Sequence, residues 1–252
     1  LHQRTTLYGV DIISTGGKSA ERHLEGQMGT TVQLTTADGN TLNAYRSEPE
    51  GSPKGAIIVV QEIFGVNDHI RGVADGYARE GYVAIAPALF DRVRDGVELD
   101  YDEAGIDVGR KIAFEDVTMD QVMADVEAAC DAVSAAGKVG IVGYCWGGSI
   151  CYVAAARLPH KISAASGYYG GQIVPHLDEK PGVPLMLHFG AEDAGIPLES
   201  VRTIAERWPE IAVHVYEGAG HGFNCDARGS YEADSAAVAL ERTLAHFATC
   251  LG

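Results

Sequence analysis

Three side chains of this sequence have the types and the order needed for covalent acyl transfer. Cys145 lies in G-Y-C-W-G (143–147), directly after the apolar run V-G-I-V (139–142) and before G-S-I-C-Y-V-A-A-A. That pattern predicts a strand, a tight turn and a helix, with the thiol at the corner. Asp193 ends G-A-E-D, after the run P-L-M-L-H-F-G (184–190), and His221 lies in E-G-A-G-H-G-F, after A-V-H-V-Y (212–216). A thiol attacks as thiolate, and a free cysteine, with a pKa of about 8.5, is mostly protonated at neutral pH. A histidine within hydrogen-bond reach can take that proton, and an aspartate on its other ring nitrogen fixes the tautomer and stabilises the imidazolium. The dipole at the following helix N-terminus favours the thiolate. Gly143 and Gly147 permit close backbone approach at a cramped turn. The N–H of Trp146, just after the nucleophile, becomes an oxyanion donor.

Each residue taken alone has a plainer reading. Cys145 could be a small buried hydrophobe, Asp193 a turn or capping acid, and His221 a turn residue between glycines. The conjunction of three such groups, each directly after a predicted strand, favours the catalytic reading. His188 and His214 fall inside predicted strands and read as structural.

The elements that must position these groups alternate along the chain. T-T-V-Q-L-T-T (30–36), the turn signal A-D-G-N (37–40) and T-L-N-A-Y-R read as a hairpin. A-I-I-V-V (56–60) is a continuous apolar run, as expected of a strand buried on both faces. Residues 68–80 read as a helix ending at Gly81, and V-A-I-A-P (83–87) as the next strand. T-M-D-Q (118–121) is a capping-box start, followed by a helical stripe of Val122, Val126, Cys130 and Val133 that closes at Gly137. I-S-A-A-S-G-Y-Y-G (162–170) follows the helix after Cys145, E-S-V-R-T-I-A-E-R-W (199–208) reads as a helix, and a last helix runs from about Tyr231 to Cys250. Strands alternating with helices predict a mostly parallel α/β sheet covered on both faces. No linker, repeat or low-complexity tract interrupts residues 28–252, which read as a single domain. Residues 1–27 show no clear period. They read as an extension or expression remnant ahead of a natural start at Met28, or else as an arm packed on the body.

Composition excludes several classes. A net charge of −16 over 252 residues repels nucleic-acid phosphates and anionic membranes. It points to a small-molecule partner and to a monomer or small homo-oligomer. The five cysteines, Cys130, Cys145, Cys151, Cys225 and Cys250, are odd in number, and their spacing suits neither a zinc site nor a disulfide framework. Cys130 and Cys151 sit in apolar helical patterns. Reduced thiols suggest a cytoplasmic protein. No apolar run reaches membrane-spanning length, and the N-terminus lacks a secretory signal's apolar segment. No metal or organic cofactor is implied, because no ligand cluster or phosphate-binding glycine motif occurs.

The motifs together resemble the dienelactone hydrolases, a family of the α/β-hydrolase fold. G-K-V-G-I-V-G-Y-C-W-G-G (137–148) is similar to the family's nucleophile segment, with cysteine where most members of the fold carry serine. Q-E-I-F-G-V-N (61–67), S-G-Y-Y-G (166–170), G-A-E-D (190–193) and A-G-H-G-F (219–223) also fit its pattern, so the resemblance spans about residues 28–250. It implies a Cys145–His221–Asp193 triad that opens an enol-lactone such as dienelactone through a thioester. Glu62 would approach the resting thiol and help activate it when substrate binds; its plainer reading is a capping or ion-paired acid. The Ile63 N–H would be the second oxyanion donor. Phe64, Tyr168 and Tyr169 would line the substrate site. Arg92 would meet a substrate carboxylate, the alternative being an ion pair with Asp91 or Asp95. One position departs from the family: a second carboxylate-binding arginine is replaced by Cys225, which puts a second thiol near the pocket mouth. Arg228, three residues on, could reach the same place, or half of the anion clamp is absent. The same machinery would also suit a carboxylesterase acting on neutral esters. A non-enzymatic binding module would need a broken triad, and a redox protein would need a C-x-x-C pair.

Overall fold

The apolar runs of the sequence become the buried strands of one sheet. The structure, a computed structural model, describes residues 28–252 and two short preceding strands, β1 (Arg4–Leu7) and β2 (Val10–Ile13). Those strands aside, the expectations for residues 1–27 lie outside the described residues. The remaining strands are β3 (Thr30–Thr35), β4 (Thr41–Ser47), β5 (Ala56–Val60), β6 (Val83–Pro87), β7 (Val139–Tyr144), β8 (Ala164–Tyr168), β9 (Leu185–Gly190) and β10 (Ala212–Tyr216). They form a ten-stranded sheet in the order β1-β2-β10-β9-β8-β7-β5-β6-β4-β3. From β6 to β10, and on to β2, neighbours are parallel; β4 is antiparallel to both β6 and β3, and β1 to β2. Every residue of β5, β6, β7 and β8 is buried, which is why those strands read as unbroken apolar runs rather than alternating ones.

The helices are α1 (Asp68–Arg79), α2 (Glu103–Lys111), α3 (Met119–Val133), α4 (Trp146–Arg157), α5 (Leu198–Arg207) and α6 (Ala233–Leu251). On one face Tyr77 of α1 meets Phe247 of α6 edge-on, with ring centroids 6.2 Å apart. On the other, α3 packs beside α4, and the Trp208 indole at the end of α5 donates to the Tyr152 hydroxyl of α4 at 2.9 Å. The α3 start is the capping box read from T-M-D-Q: the Thr118 hydroxyl accepts from the Gln121 N–H, and the Gln121 side chain accepts from the Thr118 N–H. Among the described residues, no helix is long and apolar enough to cross a membrane.

Two points differ from the sequence reading. Helix α2 was not anticipated, because Gly105 and Gly109 interrupt its helical pattern. Its local cause is Asp102, whose carboxylate accepts from the Gly105 N–H at 2.8 Å as an N-cap. The last helix begins at Ala233 rather than Tyr231, since Glu232 caps it by accepting from the Asp234 and Ser235 N–H groups.

The strand order sets the position of the site. The chain leaves β5 for β6 on one side and later returns to place β7 on the other side of β5. Such a reversal opens a crevice beyond the carboxyl ends of the two strands. The segment after β5 carries Glu62 and Ile63, and the turn after β7 carries Cys145.

Candidate active site

Cys145 occupies the sharp corner between β7 and α4, at φ 54° and ψ −113°. A non-glycine residue at such dihedrals costs about 1–3 kcal/mol, and surrounding contacts must hold it there. Its N–H donates to the Tyr168 carbonyl at the end of β8, 3.0 Å away, and its own carbonyl accepts from Gly148 and Ser149 in the first turn of α4. Gly147 is required by packing: a Cβ there would lie 2.5 Å from the Val60 carbonyl oxygen and 2.7 Å from that of Gln61. The elbow is thereby pressed against the backbone that leads to Glu62 and Ile63.

The loops after β9 and β10 supply the other two groups and are tied to each other. The Ala191 N–H donates to the Tyr216 carbonyl at 2.8 Å and the Glu192 N–H to the Ala219 carbonyl at 2.9 Å. His221 Nε2 lies 3.2 Å from Cys145 Sγ, and His221 Nδ1 lies 2.8 Å from Asp193 Oδ2. Asp193 is buried and its other oxygen accepts from the N–H groups of Gly195 (2.8 Å) and Ile196 (3.1 Å), so the carboxylate is aimed before it meets the imidazole. Burial of His221 opposes a charged ring, but the hydrogen bonds to Asp193 and Cys145, reinforced by their charges, outweigh it and push its pKa up to about 10. The neighbours of His221 therefore favour the charged form of its ring in the folded protein.

The prospective oxyanion donors frame the same corner. Trp146 is the first residue of α4, where helix geometry leaves the N–H without an intrahelical partner. Ile63 is buried in the segment after β5, and α2 rests directly on it: a Cβ on Gly109 would lie 1.9 Å from the Ile63 carbonyl oxygen. The glycine that obscured α2 in the sequence is the one that lets the helix brace this loop.

Glu62 is fully buried. One of its oxygens accepts from Arg228 Nη1 at 3.3 Å, and the other has no hydrogen-bond partner. Arg228 also lies over the rings of Phe64 and Tyr101, 5.7 Å from each centroid. Successive turns after His221, with Cys225 N–H donating to Gly222 and Arg228 N–H to Cys225, bring Arg228 back to the site. Tyr169 sits beside the triad at φ 40°, its ring edge-on to His221 with centroids 5.2 Å apart and its buried hydroxyl without a partner.

Several sequence expectations meet a different geometry. The Arg92 guanidinium is gripped by Asp125, 2.9 Å from Nε and 2.8 Å from Nη2, and by Asp38, 2.9 Å from Nη1. With both edges taken by carboxylates it holds the β3–β4 hairpin to α3, and the partners are neither Asp91 nor Asp95. Tyr168 is fully buried, its hydroxyl is paired with Thr243 at 2.7 Å, and its ring lies 4.4 Å from that of His188. It supports the sheet rather than facing a ligand. Phe64 is buried against Tyr101, with centroids 4.5 Å apart, and is reached through Arg228. Cys225 is fully buried, not at a pocket mouth. His188 is structural as its strand position suggested: it bonds Tyr216 through Nδ1 at 2.8 Å and Thr243 through Nε2 at 3.0 Å.

Sequence reasoning missed His69, in the first turn of α1. Its Nδ1 lies 3.0 Å from Asp226 Oδ1, and the ring faces Glu62 and Cys225. Burial opposes charge on this ring too, but Asp226, Cys225 and Glu62 outweigh it and push its pKa up to about 10. No motif surrounds His69, so only the fold could reveal it.

Residues 42–251 match the dienelactone hydrolase family. The chain is 34% identical over 223 residues to a carboxymethylenebutenolidase of Pseudomonas putida, covering 84% of this chain and 93% of that one. It is 37% identical over 241 residues to a candidate carboxymethylenebutenolidase of Synechocystis, covering 87% and 96%. The crystal structure of a candidate dienelactone hydrolase from Klebsiella pneumoniae superposes with a TM-score of 0.76 at 32% identity, over 87% of this chain and 98% of that one. An α/β-hydrolase sheet, together with a family match and relatives over nearly its whole length, places the chain in the dienelactone hydrolase family, as a carboxylic ester hydrolase.

Proposed function

We propose that this enzyme opens enol-lactones, such as 4-carboxymethylenebut-2-en-4-olide to maleylacetate, through a thioester on Cys145. The observation that carries the reading is the continuous relay from Cys145 Sγ to His221 Nε2 (3.2 Å) and from His221 Nδ1 to Asp193 Oδ2 (2.8 Å). His221 takes the thiol proton, and the thiolate adds to the lactone carbonyl. The N–H groups of Trp146 and Ile63 hold the oxyanion. Collapse breaks the ring C–O bond, and the enolate leaves, taking a proton within the site. Water, deprotonated by His221, then hydrolyses the thioester and restores the thiol. Enol leaving groups suit a thiolate, which is itself readily expelled from a tetrahedral intermediate.

The cation we assign to a substrate carboxylate is Arg228, which pairs with Glu62, since both edges of Arg92 are taken by Asp125 and Asp38. A substrate carboxylate competing for Arg228 would free Glu62, coupling substrate binding to a change beside the nucleophile. A second reading is a broad carboxylesterase for neutral esters, favoured by the fact that Glu62 already neutralises Arg228. Five cysteines with no disulfide pattern fit a reducing compartment, and we place the enzyme in the cytosol.

A panel of dienelactones and neutral p-nitrophenyl esters, assayed before and after alkylation with iodoacetamide, tests this. Alkylation is expected to stop all turnover, and Arg228→Ala to lower kcat/KM on the anionic lactone by about tenfold or more while sparing neutral esters, the loss of one charge-assisted pair. Equal losses on both classes would support the esterase reading. Full activity after alkylation would end the thioester mechanism.

A further inference from the structure

Beside the triad, Glu62, His69 and Cys225 each offer a donor atom, and the three atoms lie within 4.8 Å of one another. We propose that these residues form a binding site for a borderline-soft divalent cation of the Zn2+ type. The donors come from three separate segments: the loop after β5, the first turn of α1 and the loop after β10. The sequence could not show them as a set, because no two share a motif.

The chemistry of the set is specific. Thiolate sulfur, imidazole nitrogen and carboxylate oxygen are ligands for zinc or cobalt, whereas magnesium and calcium take oxygen alone. Donors of a tetrahedral site lie within about 4 Å of each other, so small side-chain rotations would close this one. The thiolate supplies one negative charge, and the Glu62 carboxylate supplies a second that it shares with Arg228. The site is also dry: Glu62 and Cys225 are 0% exposed, and the His69 side chain is 6% exposed.

Two further features support the site. His69 Nε2 and Glu62 Oε2 are both buried and without hydrogen-bond partners, a costly condition unless something binds them. Their opposite ends are held. Asp226 fixes His69 through Nδ1, the carboxylate–histidine arrangement that orients a metal-binding ring, and Arg228 fixes Glu62 through Oε1. The free atom of each residue is thus the one available to a metal. Binding displaces the thiol proton and any proton on the ring to solvent. Three protein donors leave a fourth position for water or for an anionic ligand. The site shares Glu62 with the proposed hydrolytic reading, but its readout does not depend on turnover.

The test uses the reduced full-length protein, freed of metal with a chelator and titrated with Co2+ as the probe. One equivalent should bind and give a thiolate-to-cobalt charge-transfer band in the near ultraviolet. Cys225→Ser should abolish the band, and His69→Gln and Glu62→Gln should each weaken binding at least tenfold, while Cys145→Ala should keep the band. Circular dichroism checks that each variant is folded, and three separate substitutions guard against one that is not. The proposal is overturned if folded wild type shows no thiolate band, or if the band survives Cys225→Ser and is lost in Cys145→Ala, which would put the metal on the nucleophile.

Discussion

At the scale of single residues, Cys145, His221 and Asp193 are brought together by three loops, in the chain order that the proposed relay needs. Cys145, Asp193 and His221 could be singled out because each lies just beyond a strand that the sequence predicts, which fixes the end of the sheet they share. Their electrostatics yields a pH prediction. His221 has its pKa raised from 6.5 to about 10 in the folded protein, so its proton contributes stability that is fully present below 6.5 and fades as pH rises through about 10. Chemical denaturation across that window should show wild type losing stability with a steeper slope than His221→Gln. A slope unchanged by the substitution would mean that His221 carries no shifted proton. Arg92 marks what a sequence cannot tell: its partners lie 54 and 33 positions away, at Asp38 and Asp125, while the nearer Asp91 is used by the Asn43 and Gly96 N–H groups.

At the scale of elements, the elbow and the loop after β5 work as one packed unit. The β7–α4 corner was readable because glycines flank a small residue between strand and helix, and the structure gives the reason in distances: at position 147 there is room only for hydrogen. Gly147→Ala should therefore destabilise the fold by about 2 kcal/mol through overpacking against the Val60 and Gln61 carbonyls. Thermal unfolding measures it, and an unchanged Tm would show that the corner is looser than described. Helix α2 was not readable, because propensity penalises the glycines that tertiary packing demands. Gly109 brings that helix onto the Ile63 carbonyl, a contact with no local sequence signature.

At the scale of the whole molecule, alternation of strand and helix was enough to anticipate a mostly parallel sheet, and strand order then decides which loops meet. The reversal between β5 and β7 sets the loops that carry Glu62 and Cys145 beyond the ends of neighbouring strands, and long-range ion pairs tie the surrounding elements together. Arg92 joins the β3–β4 hairpin to α3, and Asp125 beneath it is fully buried. Removing the cation leaves that carboxylate uncompensated, so Arg92→Ala should cost about 3 kcal/mol of stability, as for other broken buried pairs. Selectivity between anionic and neutral substrates should stay as in wild type. A variant of unchanged Tm that loses only anionic substrates would return Arg92 to the substrate site.

The account rests on a covalent bond between substrate and Cys145, and intact-protein mass spectrometry after an acid quench during turnover measures that bond directly. An activated ester should add one acyl group, located on the peptide containing Cys145 and released by hydroxylamine. In Cys145→Ala, the adduct should be absent and kcat should fall by about a thousandfold or more while the fold survives. Turnover that continues in that variant with no acyl adduct on wild type would contradict the account.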